Sequence, residues 1–333
     1  AETKKEKQLP EINLINFQVM CDYCQWAREI VHEEEKFLST RDELSRIEKR
    51  IAPRKPSPII VIHGYPGDVE YSNPSALELM KKSANDGYKL LIQGGEAPDV
   101  IVSTILQLEE GWSCSSGASI KCSALADDQG RTGCVIRADD CSAILEAREQ
   151  LEGSPHPLII QDKITNKKDK TEDKNREDGV SGGWGVIVRD KNQRMICGRV
   201  SWEFSHEFPP AIPVAMIYGT GIFMRGKTCF SMTGDDESIR KIPARRMFRW
   251  MKSTDKHLTS RRQIEKLMSK VEGKRAGAVF LGSFDRAVVS CSSRFFPWVS
   301  CSRNMINYGA SAGEIHSQDV DFDGEILCRC HWR

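Results

Sequence analysis

One short run constrains this chain more than any other: Pro58-Ile59-Ile60-Val61-Ile62 is uninterrupted apolar sequence. Such a run, bounded by turn residues, predicts a strand buried on both faces. A helix pattern follows from Asn73, with Pro74 in its first turn, Leu77, Met80 and Ala84 inward, and Gly87 as its stop. Tyr88-Lys89-Leu90-Leu91-Ile92 predicts the next strand, closed by Gly94-Gly95. Pro98 opens a second helix with Ile101, Ile105 and Leu108 as its apolar stripe and Gly111 at its end. Cys134-Val135-Ile136 reads as a strand, Asp140 as the cap of a helix through Leu151, and Leu158-Ile159-Ile160 as a strand again. Strands and helices alternating through short turns predict an α/β fold with a parallel-sheet core.

Around that core the chain divides into four parts. Residues 1–55 read as a helical N-terminal arm. There Thr40-Arg41-Asp42-Glu43 forms a capping box, Leu44 and Ile47 share a face, and Pro53 ends the helix. Residues 56–162 are the parallel-sheet domain. Residues 163–181 include Lys167-Lys168-Asp169-Lys170-Thr171-Glu172-Asp173-Lys174, too polar to bury itself, and predict a charged mobile linker. Residues 182–333 read as a mixed α+β domain. It opens on a hairpin, Gly185 to Arg189 and Met195 to Val200, turning at Asp190-Lys191-Asn192-Gln193.

Charge is where function surfaces. The whole chain carries a formal net charge of +1. Yet from Arg240 to Arg275 the bases Arg240, Lys241, Arg245, Arg246, Arg249, Lys252, Lys256, Arg261, Arg262, Lys266, Lys270, Lys274 and Arg275 face only Asp255, Glu265 and Glu272. A local surplus in a neutral protein attracts polyanions. Arginine forks suit phosphate bidentately, and Phe248 and Trp250, interleaved with them, are candidates for base stacking. The second half of the region is amphipathic: Ile264, Leu267, Met268 and Val271 fall on one helix face, with Ser260 as cap and Gly273 as stop.

Other motifs point elsewhere. His63-Gly64-Tyr65-Pro66-Gly67-Asp68 resembles, over about ten residues, the oxyanion-hole turn of α/β-hydrolases, where backbone amides face a substrate oxygen. That family implies a serine elbow. The nearest candidate, Gly111-Trp112-Ser113-Cys114-Ser115, ends in Ser where Gly belongs and follows a helix. The segment from Asp178-Gly179 through Gly182-Gly183-Trp184-Gly185 to Asp190 resembles the opening hairpin of ribonuclease H domains. There Asp178 matches the first metal-binding aspartate, with Asp235 or Asp236 as a later one. The glutamate that family needs is missing, since Glu207 is followed by Pro209, Pro210 and Pro213.

The chain has twelve cysteines, spread along its length and read as mostly reduced and buried. Cys21, Cys24, Cys328, Cys330 and His331 are the candidate ligands of a structural zinc site, if the two ends of the chain meet. Otherwise no cofactor is expected: no Walker-type loop is present, and Gly219-Thr220-Gly221 lacks the rest of a dinucleotide fingerprint. No apolar h-region follows Ala1 to Lys7 and no run reaches the length of a membrane helix, which gives the expectation of a soluble cytoplasmic protein without membrane partners.

The sequence therefore predicts a non-enzymatic nucleic-acid-binding protein, RNA or single strands favoured. The classes that fit are a nucleoprotein (viral or host), an assembly factor or a polymerase accessory subunit. Its binding residues would be Arg240, Lys241, Arg245, Arg246, Arg249, Trp250, Lys252, Arg261, Arg262, Lys266 and Lys270. The competing classes are a hydrolase built on His63, a metal nuclease built on Asp178, and a scaffold, self-assembling or docking its basic helix on an acidic protein.

Overall fold

A computed structural model of the chain describes residues 56–67, 74–111, 120–137, 142–154, 159–160, 182–203, 214–241, 243–251, 264–266, 268–269, 275–283, 285–311 and 313–322. Contacts divide the chain between Lys55 and Pro56. The predicted N-terminal arm and the predicted linker at 163–181 lie outside the described residues.

The unit from Pro56 onward is built on two sheets. β1 (Ile59–His63), β2 (Ile120–Asp127), β3 (Thr132–Arg137), β4 (Ile159–Ile160), β5 (Gly182–Arg189), β6 (Met195–Glu203), β11 (Trp298–Ser302), β12 (Met305–Gly309) and β13 (His316–Asp319) form a nine-stranded sheet. Its order is β13-β12-β11-β1-β5-β6-β2-β3-β4. β7 (Ile222–Arg225), β8 (Thr228–Gly234), β9 (Ala276–Leu281) and β10 (Val288–Cys291) form a second sheet in the order β10-β9-β8-β7. Strands from both sides of residues 163–181 enter the larger sheet.

The expected parallel-sheet core is not there. β3 and β4 are parallel, joined through α3 (Ile144–Gly153), while every other pairing is antiparallel. β1 shows why the run misled. Its five residues are all buried, but burial on both faces reports what covers a strand, not which way its neighbours run. Ile60 and Ile62 face a core lined by α1 (Pro74–Gln93), α2 (Ala97–Gly111) and α3, while Ile59 and Val61 face the second sheet. Burying each such side chain contributes about 1.5–3 kcal/mol relative to exposure.

The fold is thus a four-layer sandwich: helices, nine-stranded sheet, four-stranded sheet, helices. The fourth layer is α5 (Ala244–Met251) with the helical segment around Ile264. Ala244, Met247, Phe248, Ile264 and Met268 pack there against Phe230, Met232, Ala278 and Phe280. Ile264 and Met268, two of the apolar positions predicted for that segment, are buried.

Tyr88 to Ile92, predicted as a strand, is the last part of α1. Met80, Ala84, Tyr88 and Leu91 continue one buried face at helical spacing. Gly87 is not a stop. A Cβ there would come within 2.7 Å of both Ile60 Cδ1 and Thr104 Oγ1, so glycine lets the helix approach β1 and α2. The stop is Gly94, at φ 105°, with Gly95 N–H donating to Leu90 O at 2.8 Å.

The β5–β6 hairpin is as predicted. Asp190 Oδ1 accepts from the amides of Asn192 and Arg194 inside the turn, and its Oδ2 accepts from Ala97 N at the start of α2. Among the described residues, no helix is long and apolar enough to cross a membrane.

Candidate nucleic-acid interface

The basic region contributes two described helices beside the second sheet: α4 (Asp236–Lys241) and α5. They differ in what their charges do. On α4, Arg240 lies 3.9 Å from Asp236 and Lys241 lies 3.1 Å from Glu237, both at i,i+4 spacing. These bases already have acids beside them. On α5, Arg245, Arg246 and Arg249 are all exposed, while Ala244, Met247 and Phe248 are buried. At about 100° per residue the three arginines fall within roughly one third of the helix circumference. Among the described residues no carboxylate forms an ion pair with Arg245 or Arg249.

The start of α5 is fixed by a neighbouring loop. Ala244 N donates to Thr220 O at 2.7 Å and Arg245 N donates to Gly219 O at 2.9 Å. The first-turn amides that could attract an anion are therefore occupied. Attraction here rests on the side chains.

Phe248 does not stack on bases. It is 7% exposed and meets Phe223 edge-to-face at 4.9 Å, inside the core. Four residues after Ala244 and one after Met247, it belongs to the buried arc of the helix. Trp250 has its backbone in α5, and its side chain is not among those described. Lys266 is exposed. Lys252, Arg261, Arg262 and Lys270 lie outside the described residues. Arg275, which closes the basic stretch, pairs with Asp235 at 3.2 Å.

The other candidate sites resolve differently. His63 is completely buried between the sheets. Its Nδ1 lies 3.2 Å from Gly64 O and its Nε2 2.7 Å from Ser231 Oγ. A carbonyl can only accept, so Nδ1 carries the proton and Nε2 accepts from the serine hydroxyl. Burial first, then the Arg199 guanidinium, lowers the His63 pKa from 6.5 to about 3. The pair has the reach of a base and its nucleophile, but Ser231 is buried as completely as His63.

Both glycine amides of the turn after His63 are already bonded to the backbone. Gly64 N donates to Pro297 O at 2.9 Å and Gly67 N donates to Phe295 O at 3.0 Å. Arg199, also buried, donates from a terminal guanidinium nitrogen to Met232 O across the sheets, and burial lowers its pKa to about 10. These groups tie the two sheets together.

Ser113, Ser115 and Asp178 lie outside the described residues. Of the two later aspartates of the nuclease reading, Asp235 is paired with Arg275 and Asp236 with Arg240 in α4. The candidate zinc ligands Cys21, Cys24, Cys328, Cys330 and His331 lie outside them as well. Among the described residues no group of three or more His, Cys, Asp or Glu side chains converges as a metal site. Among the described residues, Cys122, Cys197, Cys229 and Cys301 are buried and form no disulfide. Burial raises the pKa of Cys134 to about 11 and of Cys301 further still, which leaves both protonated and unreactive at neutral pH.

No family model matches this chain, and no curated protein matches it either.

One feature of this surface escaped the sequence reading. Tyr218, in the loop that caps α5, is 38% exposed beside Ile217 at 49%. Its position among Pro213, Gly219 and Gly221 gives no periodic signal, so only the folded loop brings it to Arg245.

Proposed function

We propose that the protein binds nucleic acid, single-stranded RNA favoured, through the arginine face of α5. One observation carries this reading. Three arginines share one exposed arc of a helix whose opposite arc is anchored in the core, with no acid paired to Arg245 or Arg249 among the described residues. A solvated structural helix resembles α4, where each base has an acid one turn away. α5 instead holds the Arg245 and Arg249 guanidinium groups, with no acid paired to them among the described residues, on a rigid base that suits phosphate oxygens.

The reading also bounds the affinity. The chain as a whole is close to neutral, so long-range steering is weak and binding depends on a few local contacts. An eight-residue helix is about 12 Å long. Arginine reads guanine edges as well as phosphates, yet a helix this short, presenting Arg245, Arg246 and Arg249, suits phosphate contacts better than readout of a specific duplex site. Affinity in the range of roughly 10⁻⁴ to 10⁻⁶ M at physiological salt is expected.

The test is fluorescence anisotropy with a labelled single-stranded RNA of mixed sequence. The native protein should bind, Arg245→Ala/Arg246→Ala/Arg249→Ala should bind at least ten-fold more weakly, and the triple lysine variant should recover part of the loss. A triple alanine variant that binds as well as the native chain removes the proposal. Binding to an acidic polypeptide in preference to RNA would replace it with the scaffold reading.

A further inference from the structure

We infer that Tyr218 is the base-stacking platform of this surface, and that the β7–β8 turn continues the phosphate track on its far side. The inference rests on the nucleic-acid reading of α5 and adds to it the part of the ligand that is recognised besides phosphate.

Three contacts hold Tyr218 in place. Its hydroxyl donates to Met224 O at 2.8 Å, its ring centroid lies 5.4 Å from that of Phe223, and the next residue, Gly219, accepts from Arg245 N at 2.9 Å. Gly219 adopts φ 94°, and a Cβ added there would lie 3.9 Å from Arg245 Cβ and Cδ, so the loop and the arginine stem are immediate neighbours. The ring is thus held at both ends, and the residue is 38% exposed next to a cation. A held ring loses little entropy when a base stacks on it.

The far end of the ring points to a second basic position. Met224, which takes the hydroxyl bond, is followed by Arg225, Gly226 and Lys227 at the turn between β7 and β8, all exposed. Tyr218 therefore has Arg245 beside it, and its hydroxyl is bonded to the strand that leads into the Arg225–Lys227 turn, with Asp127 opposing the effect of Arg245 on that hydroxyl. An aromatic ring beside a cation is an arrangement that single-stranded nucleic acid uses: phosphates follow the cations while a base lies on the ring. A base-free polyanion needs only the cations, and an acidic peptide built of Asp and Glu has no aromatic face to place on the ring.

The experiment compares two ligands on the full chain, a labelled oligouridylate and inorganic polyphosphate of similar length as competitor. Tyr218→Ala should weaken oligouridylate binding about ten-fold and leave polyphosphate binding unchanged. Tyr218→Phe, which keeps the ring and loses only the hydroxyl bond, should stay within about two-fold of native on both ligands. Tyr218→Leu keeps apolar packing against Phe223 and should behave like the alanine variant, which separates stacking from any loss of fold. Equal losses on both ligands, or no loss on oligouridylate, overturn the stacking role while the arginine reading stands. A native protein that binds neither ligand overturns both.

Discussion

The Ser231 hydroxyl donates to His63 Nε2 across 2.7 Å, and the bond joins an interior strand of the larger sheet to the smaller sheet. Gly185 makes the arrangement possible, since a Cβ there would lie 2.1 Å from the same nitrogen. The imidazole fills space between the sheets as a neutral, fully bonded group.

That neutrality has a pH consequence. In the unfolded chain the imidazole takes a proton near pH 6.5, whereas in the folded protein it does so only near 3. Between those values the unfolded state binds more protons, so stability falls as pH falls. The slope is about 1.4 kcal/mol per pH unit once below the upper value, or about 2 kcal/mol by pH 5. Urea midpoints at pH 7 and pH 5 should show this loss, and His63→Asn should show much less of it. A native midpoint that does not move between those pH values contradicts the buried neutral histidine.

Gly87 gives a second prediction. Alanine is the better helix former by about 1 kcal/mol, yet its methyl group would meet Ile60 Cδ1 and Thr104 Oγ1 at 2.7 Å. Overpacking should win, and Gly87→Ala should destabilise by about 1–3 kcal/mol in denaturant unfolding. A stabilised variant would mean that α1 does not lie this close to β1.

A third prediction concerns Asp285. Its carboxylate lies 2.9 Å from the guanidinium of Arg189, which is fully buried, and it also accepts from Ser57 N at 2.6 Å and from Arg303 Nε at 3.0 Å. Removing it takes a carboxylate away from a buried cation. Asp285→Ala should cost about 3–5 kcal/mol, whereas Arg303→Ala, at the exposed end, should cost under about 1 kcal/mol. Comparable losses from the two variants would place the charge pair at the surface.

These relationships explain what was legible in the sequence. Ile59 to Ile62 announced a strand covered on both sides, and α2 and the β5–β6 hairpin followed from their own residues. α3 was expected too, but it starts at Ile144 after Ala143, without the side-chain cap expected from Asp140. Strand direction did not follow, because β1 pairs with β5 and β11, distant in sequence and joined to it by no local turn. Gly87 looked like a stop because a glycine chosen for close packing and one chosen for a turn are the same letter.

At the candidate site, the one-sided charge of Arg245, Arg246 and Arg249 could be read directly. Phe248 was misassigned although Ala244 and Met247 place it on the apolar arc. Tyr218 was out of reach, since its neighbours Arg245 and Met224 meet it only through the folded loop.

The central claim is that guanidinium groups on α5 contact phosphates, and salt dependence tests it most directly. Affinity for single-stranded RNA should be measured across roughly 50 to 200 mM monovalent salt, for the native chain and for Arg245→Ala/Arg246→Ala/Arg249→Ala. Each phosphate neutralised contributes a slope of about −0.7 in log K against log salt. Three contacts therefore predict a native slope of about −2 or steeper, and a triple variant whose slope is shallower by about 2. A native affinity that does not change with salt, or a variant with an unchanged slope, would contradict the account.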